Sequence, residues 1–397
     1  MSHVTSRLTL FDDIERWDHR HKRQTQSSFH FLNTSAWPAS HNMRAALEQW
    51  FEDYPDDDKN DLRARFRKRD DNHESAFFEL FLYEVFRRLG LTPEVHPEPS
   101  TGRGRPDFLV TPRTGSAAYV EANVVGLTGF MVEDPLEQGV LQAIDALAMA
   151  RPTGIRLTAH SRGKLATSPP TRRIKDKVGR WLEQVGREFP RPGSIESMPS
   201  VTVSHGDWSL TLTAGHRSDR LSDRLIHVGP GKGGASTEDV ALRKNVLEKA
   251  KQHGKLDHPL IVAMNTMNGF QDAEDEMSAL FGGEQLTWKV DRNGNAVTPP
   301  QSSREPDSLW RNRSGNRYSR VHGVLFFRGV WPWNANNVVS HLYVNPYIGA
   351  DVPDEMLRLG SARVRNAQMT WEAGENLGDL LDLPENWPGE RTRPIFD

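Results

Sequence analysis

Two carboxylates stand where a carboxylate is conspicuous. Asp107 follows Pro106 at the head of the apolar run Phe108-Leu109-Val110, and Glu121 lies inside another, Tyr119 to Val125. A carboxylate in a buried strand is unfavourable unless it is paired or holds a cation. Two from adjacent strands, joined by a third from a packed helix, make a hard oxygen set suited to Mg2+. Such an ion activates water and stabilises charge developing on a phosphate. The third acid is Glu79. Taken singly, a Pro-Asp pair is ordinary turn chemistry and a strand glutamate often faces solvent. Their order along the chain is what raises them above that.

The elements that must position these acids are legible. Residues 74–89 place Phe78, Phe81, Val85 and Leu89 on one helical face, and Gly90 sits where a helix stops. A short strand is expected around Glu94–His96. Phe108–Val110 and Tyr119–Val125 are rich in β-formers, and Thr111–Ser116, with Pro112 and Gly115, has turn chemistry. The order is helix, strand, then two strands joined by a hairpin turn.

This constellation resembles the PD-(D/E)XK nuclease superfamily, the restriction-endonuclease-like fold. Pro106-Asp107 and Glu121-Ala122-Asn123 carry the resemblance, Glu121 standing fourteen positions after Asp107. Phe78-Glu79, with Gly90 eleven positions after the glutamate, is similar to the opening helix of Mrr-type members. The likeness covers residues 74–150. It implies an α/β fold whose core, residues 71–290, is a mixed β-sheet flanked by helices. A helical region (1–70) would precede this core, and a β-containing extension (291–397) would follow it.

The implied activity is that of a metal-dependent endonuclease hydrolysing phosphodiester bonds, in DNA rather than RNA, as in bacterial restriction or phage defence. Asp107 and Glu121 would hold Mg2+ or Mn2+, and Glu79 would bind a second ion or orient water. The sequence departs from the family at Asn123, where the motif has lysine. An amide can orient a water but supplies no positive charge. That charge would come from Arg105, Arg162 or Lys164. The alternative is a catalytically silent module that binds nucleic acid, or a subunit acting only with a partner; a homodimer is a further expectation.

Composition narrows the field. Hydrophobic residues make up 36% of the 397, with 17 Phe and 11 Trp, enough for a sizeable core. The absence of cysteine excludes disulfides, thiolate nucleophiles and Cys-ligated metal centres. There is no apolar run of membrane-spanning length and no signal-peptide pattern, so a cytoplasmic protein is expected. A net charge of −3 does not advertise nucleic-acid binding, which must then rest on local patches.

The strongest patch is residues 151–180, with nine basic residues against the single acid Asp176. Arg162, Lys164, Arg172, Arg173 and Lys175 are its candidate phosphate contacts. A second basic run, Arg63, Arg65, Arg67, Lys68 and Arg69, reads as a solvated helix face or a phosphate contact. Residues 134–150 predict a helix that packs on the sheet after the glutamate strand, with Gln138 and Gln142 within reach of the site. Val201–Val203 and Trp208–Thr213 predict a hairpin continuing the core into a helix over 237–253 and a buried strand, Leu260–Asn265.

Residues 229–234 (GPGKGG) fail the phosphate-loop pattern, since no Ser or Thr follows Lys232. Residues 283–320 read as a long loop. Strands are expected at Val321–Phe327 and Ser340–Val344, with Trp331 and Trp333 between them as buried, rim or base-stacking aromatics.

Overall fold

Strands that read as unbroken apolar runs are buried on both faces, and two such runs, LIVAMNT and GVLFF, form the middle of the molecule. The computed structural model describes residues 7–20, 22–23, 26–68, 70–125, 134–149, 155–188, 199–216, 226–228, 238–267, 273–287, 289, 297–299, 301–306, 308–311, 320–349, 352–366 and 368–389. Four helices come first: α1 (Ser28–Thr34), α2 (Pro38–Asp53), α3 (Asp56–Phe66) and α4 (Asp70–Arg88). Three strands follow, β1 (Thr92–Val95), β2 (Phe108–Thr111) and β3 (Ala118–Val125). The chain then builds α5 (Pro135–Met149), β4 (Ile155–Arg162), α6 (Thr171–Glu188), β5 (Ser200–His205), β6 (Trp208–His216) and β7 (Ile226–Val228). It returns with α7 (Glu238–His253), β8 (Leu260–Thr266), α8 (Ala273–Phe281), β9 (Glu284–Thr287) and β10 (Gln301–Arg304). The last elements are β11 (Gly323–Phe327), β12 (Ser340–Val344), a 3-10 turn (Asp354–Leu359), β13 (Ser361–Arg365), β14 (Gln368–Glu372) and α9 (Leu377–Leu380).

The main sheet is mixed and eight-stranded, ordered β1-β2-β3-β8-β11-β12-β13-β14. β1, β2 and β3 form an antiparallel meander, and β3, β8 and β11 run parallel. Alternation along the strands divides two cores. Ile261, Ala263, Leu325 and Phe327 meet Phe77, Phe78 and Phe81 of α4 on one face. Val262, Met264, Val324 and Phe326 meet Leu242 and Val246 of α7 and Leu280 of α8 on the other. α4 ends as its sequence suggests. Gly90 adopts φ +89°, and the Leu91 amide turns back to the Phe86 carbonyl at 3.0 Å.

Between residues 28 and 66 the chain is largely helical, and the apolar faces of α1, α2 and α3 join the α4 cluster rather than forming one of their own. Trp50 of α2 packs edge-on against Phe81, the ring centroids 6.3 Å apart. Residues past 291 enter the sheet itself, since β11 lies against β8 in its centre. Three expectations need correction. α5 does not pack on the main sheet: Val140, Leu141 and Ile144 bury against α6 and a second, four-stranded sheet ordered β5-β6-β4-β7. The β5–β6 hairpin belongs to that second sheet, so the crossover returning to the core is β3–α7–β8. The region 283–320 is not all loop, because β9 and β10 pair in it. The 229–234 segment lies outside the described residues.

Phe81 is fully buried among Phe77, Phe78, Trp50 and Phe327. Phe81→Ala is expected to cost about 3–5 kcal/mol in urea unfolding. A loss below about 1 kcal/mol would mean that the N-terminal helices and the sheet do not share this core.

Candidate metal centre

The site forms where two strands part. β2 and β3 pair at Phe108↔Val120, Leu109↔Tyr119 and Val110↔Ala118. One residue further, the ladder stops, and the Ala122 amide donates to the Asp107 carboxylate, Oδ2, at 2.7 Å. On the other flank, β1 ends at Val95 opposite Phe108, and the His96 amide donates to the Asp107 carbonyl at 3.0 Å. His96, Asp107 and Glu121 therefore lie in a row across the three strands. His96 has φ 46°, which a non-glycine residue adopts at a cost of about 1–2 kcal/mol.

Glu79 reaches this row from α4. It is 4% exposed, and a buried carboxylate must be paired to be tolerated. Tyr54 donates to its Oε1 at 2.6 Å, and Arg65 grips both oxygens, at 2.7 and 2.9 Å. His96 Nε2 stands 4.0 Å from Glu79 Oε1. One donor atom each from Glu79, His96 and Asp107 lie within 4.8 Å of one another. That is an oxygen–nitrogen–oxygen set close enough to converge on one divalent cation.

Glu121 faces α7. Lys249 Nζ donates to its Oε1 at 2.8 Å, and His253 Nε2 lies 2.8 Å from Oε2. Lys249 and His253 are four residues apart, so they share a helix face. The glycine-rich loop before Asp107 fixes that helix end. The Arg103 amide donates to the His253 carbonyl at 2.9 Å, and its guanidinium donates to the Gln252 and Lys251 carbonyls at 3.2 and 3.1 Å. These are carbonyls the helix cannot satisfy itself, and a cation there suits the dipole. Gly102, at φ +102°, comes so close that a Cβ would stand 2.7 Å from the His253 carbonyl oxygen. The sequence GRGRPD thus clamps α7 and delivers Asp107 in one stretch.

The charges are unbalanced around Asp107. Burial, then the negative charges of Glu121 and Glu79, push its carboxyl up to about 7, against weaker pulls from Lys249 and the Ala122 amide. Burial also acts to raise Glu121, but the His253 hydrogen bond and the Lys249 ammonium outweigh it and hold that carboxyl below its ordinary value. Burial and the adjacent Glu79 drive the Tyr54 hydroxyl far up, so it stays a donor. Burial would lower Arg65, but its bonds to Glu79 more than offset this and keep it charged. A cation would relieve the surplus at Asp107.

Asp107 stands close enough to Glu79 and to Glu121 to feel both charges, but the cluster that could hold an ion takes His96 and not Glu121, whose two oxygens are turned to Lys249 and His253. Asn123 does not touch the carboxylates; its amide points to Met264 Sδ, 3.8 Å away. Arg105 is exposed and ion-paired with Glu98. Arg162 and Lys164 are exposed at the end of β4 in the second sheet. Arg172 and Arg173 are exposed and Lys175 half-buried on α6. Among the described residues no hydrogen bond or ion pair joins any of these to a site carboxylate. Arg63 and Arg67, candidates for phosphate, instead hold Thr9, Leu10 and Asp12 in place.

His96, Lys249, His253, Arg65 and Tyr54 were not legible as site residues. The available signals were weak: a histidine just past a strand, and a Lys–His pair at helical spacing before Gly254. Comparisons of the chain with models of protein families, with curated proteins and with solved structures found no match.

The raised Asp107 carboxyl has a sign. Folded protein keeps this proton to about pH 7, whereas an unfolded aspartate releases it near 3.8. Between those values the folded state binds more protons, so stability falls as pH rises through the window. Glu121 works oppositely, adding stability above its ordinary range that is lost in acid. Asp107→Asn, free of metal, should therefore melt several °C above wild type at pH 8, the gap closing towards pH 4. A variant melting below wild type at pH 8 would refute the charge surplus.

Proposed function

We propose that this protein is a divalent-metal-dependent nuclease on a PD-(D/E)XK-like core, hydrolysing phosphodiester bonds in DNA. The element order supports the reading: α4, the meander β1–β2–β3, and α7 crossing to β8, parallel to β3. The observation that carries it is the ammonium of Lys249, 2.8 Å from Glu121. It stands on the strand acid, where Asn123 leaves the motif without a cation.

In this reading Glu79, His96 and Asp107 would hold the ion, Mg2+ or Mn2+. When bound, it would polarise a phosphate oxygen and lower the pKa of a water. The chain's own groups do the rest. Glu121, kept ionised by Lys249 and His253, accepts a proton or hydrogen bond from a water beside Asp107. Lys249 orients that water and offsets charge on the phosphate, a contribution on the order of 10²–10³ in rate for such groups. Arg65 and Tyr54 fix Glu79. The exposed Arg162, Lys164, Arg172 and Arg173, with Lys175, offer phosphate contacts away from the chemistry. No helix among the described residues is long and apolar enough to cross a membrane. A role in restriction or phage defence, and action as a homodimer or with a partner, belong to the same proposal.

One observation favours a second reading. Glu79 and Glu121 already have protein partners, which suits a catalytically silent module whose polar network only braces the fold. Incubation of supercoiled DNA and of RNA with Mg2+ or Mn2+ separates the two. Wild type is expected to nick DNA, Lys249→Met to lose about 10²–10³ in rate, and Glu121→Gln to fall to background. Inert wild type on both substrates would favour the silent module, and full activity in Lys249→Met would remove Lys249 from the chemistry.

A further inference from the structure

The carboxylates alone would suit Mg2+, yet the third member of the cluster is an imidazole, and what lies behind it bears on the choice of ion. His96 presents Nε2 towards Glu79 and Asp107, the three donors within 4.8 Å of one another. Its other nitrogen, Nδ1, lies 3.3 Å from Asp58 Oδ1 at the start of α3. Asp58 is outside the cluster and on a different element. A carboxylate that accepts a hydrogen bond from Nδ1–H fixes the tautomer, leaves the Nε2 lone pair facing the cluster and raises its basicity. This is the support that metal-ligating histidines commonly have.

Glu79 can still take part. A carboxylate has about four acceptor positions, and Tyr54 and Arg65 use three, two on Oε1 and one on Oε2, which leaves a position on Oε2. Asp107 spends one oxygen on the Ala122 amide and is half-buried, so its group is reachable from outside.

We infer that Glu79, His96 and Asp107 form a site for a first-row transition-metal dication, with His96 Nε2 as a ligand oriented by Asp58, and that this site selects such an ion over Mg2+. The inference rests on the metal-dependent reading above and deepens it. Mg2+ is hard, prefers oxygen and keeps its waters. An imidazole ligand suits borderline ions, and for one mixed N/O site affinity rises from Mn2+ through Co2+ to Cu2+ and falls again at Zn2+. The nitrogen is what makes the difference, and Asp58 is a positioning residue that acts through it.

The test uses the full chain and Co2+, whose visible spectrum reports nitrogen ligation directly. Titration of wild type with CoCl2 should give one saturable site with an imidazole-type band, and MgCl2 in hundredfold excess should not displace it. His96→Ala should remove the band, and His96→Gln, should alanine prove unstable, should do the same. Asp58→Asn should weaken Co2+ by about 10–100-fold while Mg2+ binding stays as weak as before. Circular dichroism of each variant checks the fold. Equal affinity for Mg2+ and Co2+, no binding of either, or a Co2+ band unchanged in His96→Ala would overturn the inference. Co2+ held through His96 by a protein that cleaves neither DNA nor RNA would leave it standing and remove the nuclease reading.

Discussion

Three carboxylates share one enclosed corner of this protein, and most of the surrounding architecture answers the cost of placing them there. A buried carboxylate without compensation is strongly destabilising. Compensation comes from three directions: Arg65 and Tyr54 from the N-terminal helices, Lys249 and His253 from α7, and the Ala122 amide freed where β2 and β3 part. Each contact also fixes an element. The N-terminal helices are held to α4 through Glu79 as well as through Trp50, and α7 is held to β3 through Glu121. Only Asp107 remains undercompensated, and it is the least enclosed of the three.

That arrangement explains how a long insertion is tolerated. Between β3 and α7 the chain leaves the main sheet and builds a second one with its own core of Trp208, Leu210, Leu212 and the inner face of α6. The return is fixed locally. Arg103 and the close approach of Gly102 hold the C-terminal end of α7, so the register of Lys249 and His253 against Glu121 does not depend on what lies between. The long sequence separation between Glu121 and its partners is bridged by a loop immediately before Asp107.

Where local pattern and burial agree, the sequence is informative. The α4 face, Gly90, the β2–β3 hairpin and the continuous apolar run of β8 are all visible in it. So are the three acids, because a carboxylate amid apolar neighbours is a local anomaly. Their partners are not, since nothing local marks Lys249 as facing a strand 128 residues earlier. Arg65 lies in a basic run whose plainest reading is a solvated face, and the fold turns it onto Glu79 while Arg63 and Arg67 go to the N-terminal segment. α6 was obscured differently. Its buried Ile174, Val178, Leu182 and Val185 keep helical spacing, but the surrounding cations draw attention to charge. Beyond the buried Ser361 and Ala362, β13 and β14 are half-exposed and largely polar, so their pairing depends on the strands beside them.

The central claim is that this corner is a cation site and not merely a closed polar network. Anomalous diffraction from crystals grown with Mn2+ measures that directly. A single anomalous peak among Glu79, His96 and Asp107, lost in Asp107→Asn crystals, is the expected result. A clean map with Arg65, Tyr54 and Lys249 retaining their present bonds, and no peak near Asp107 at millimolar Mn2+, would contradict it.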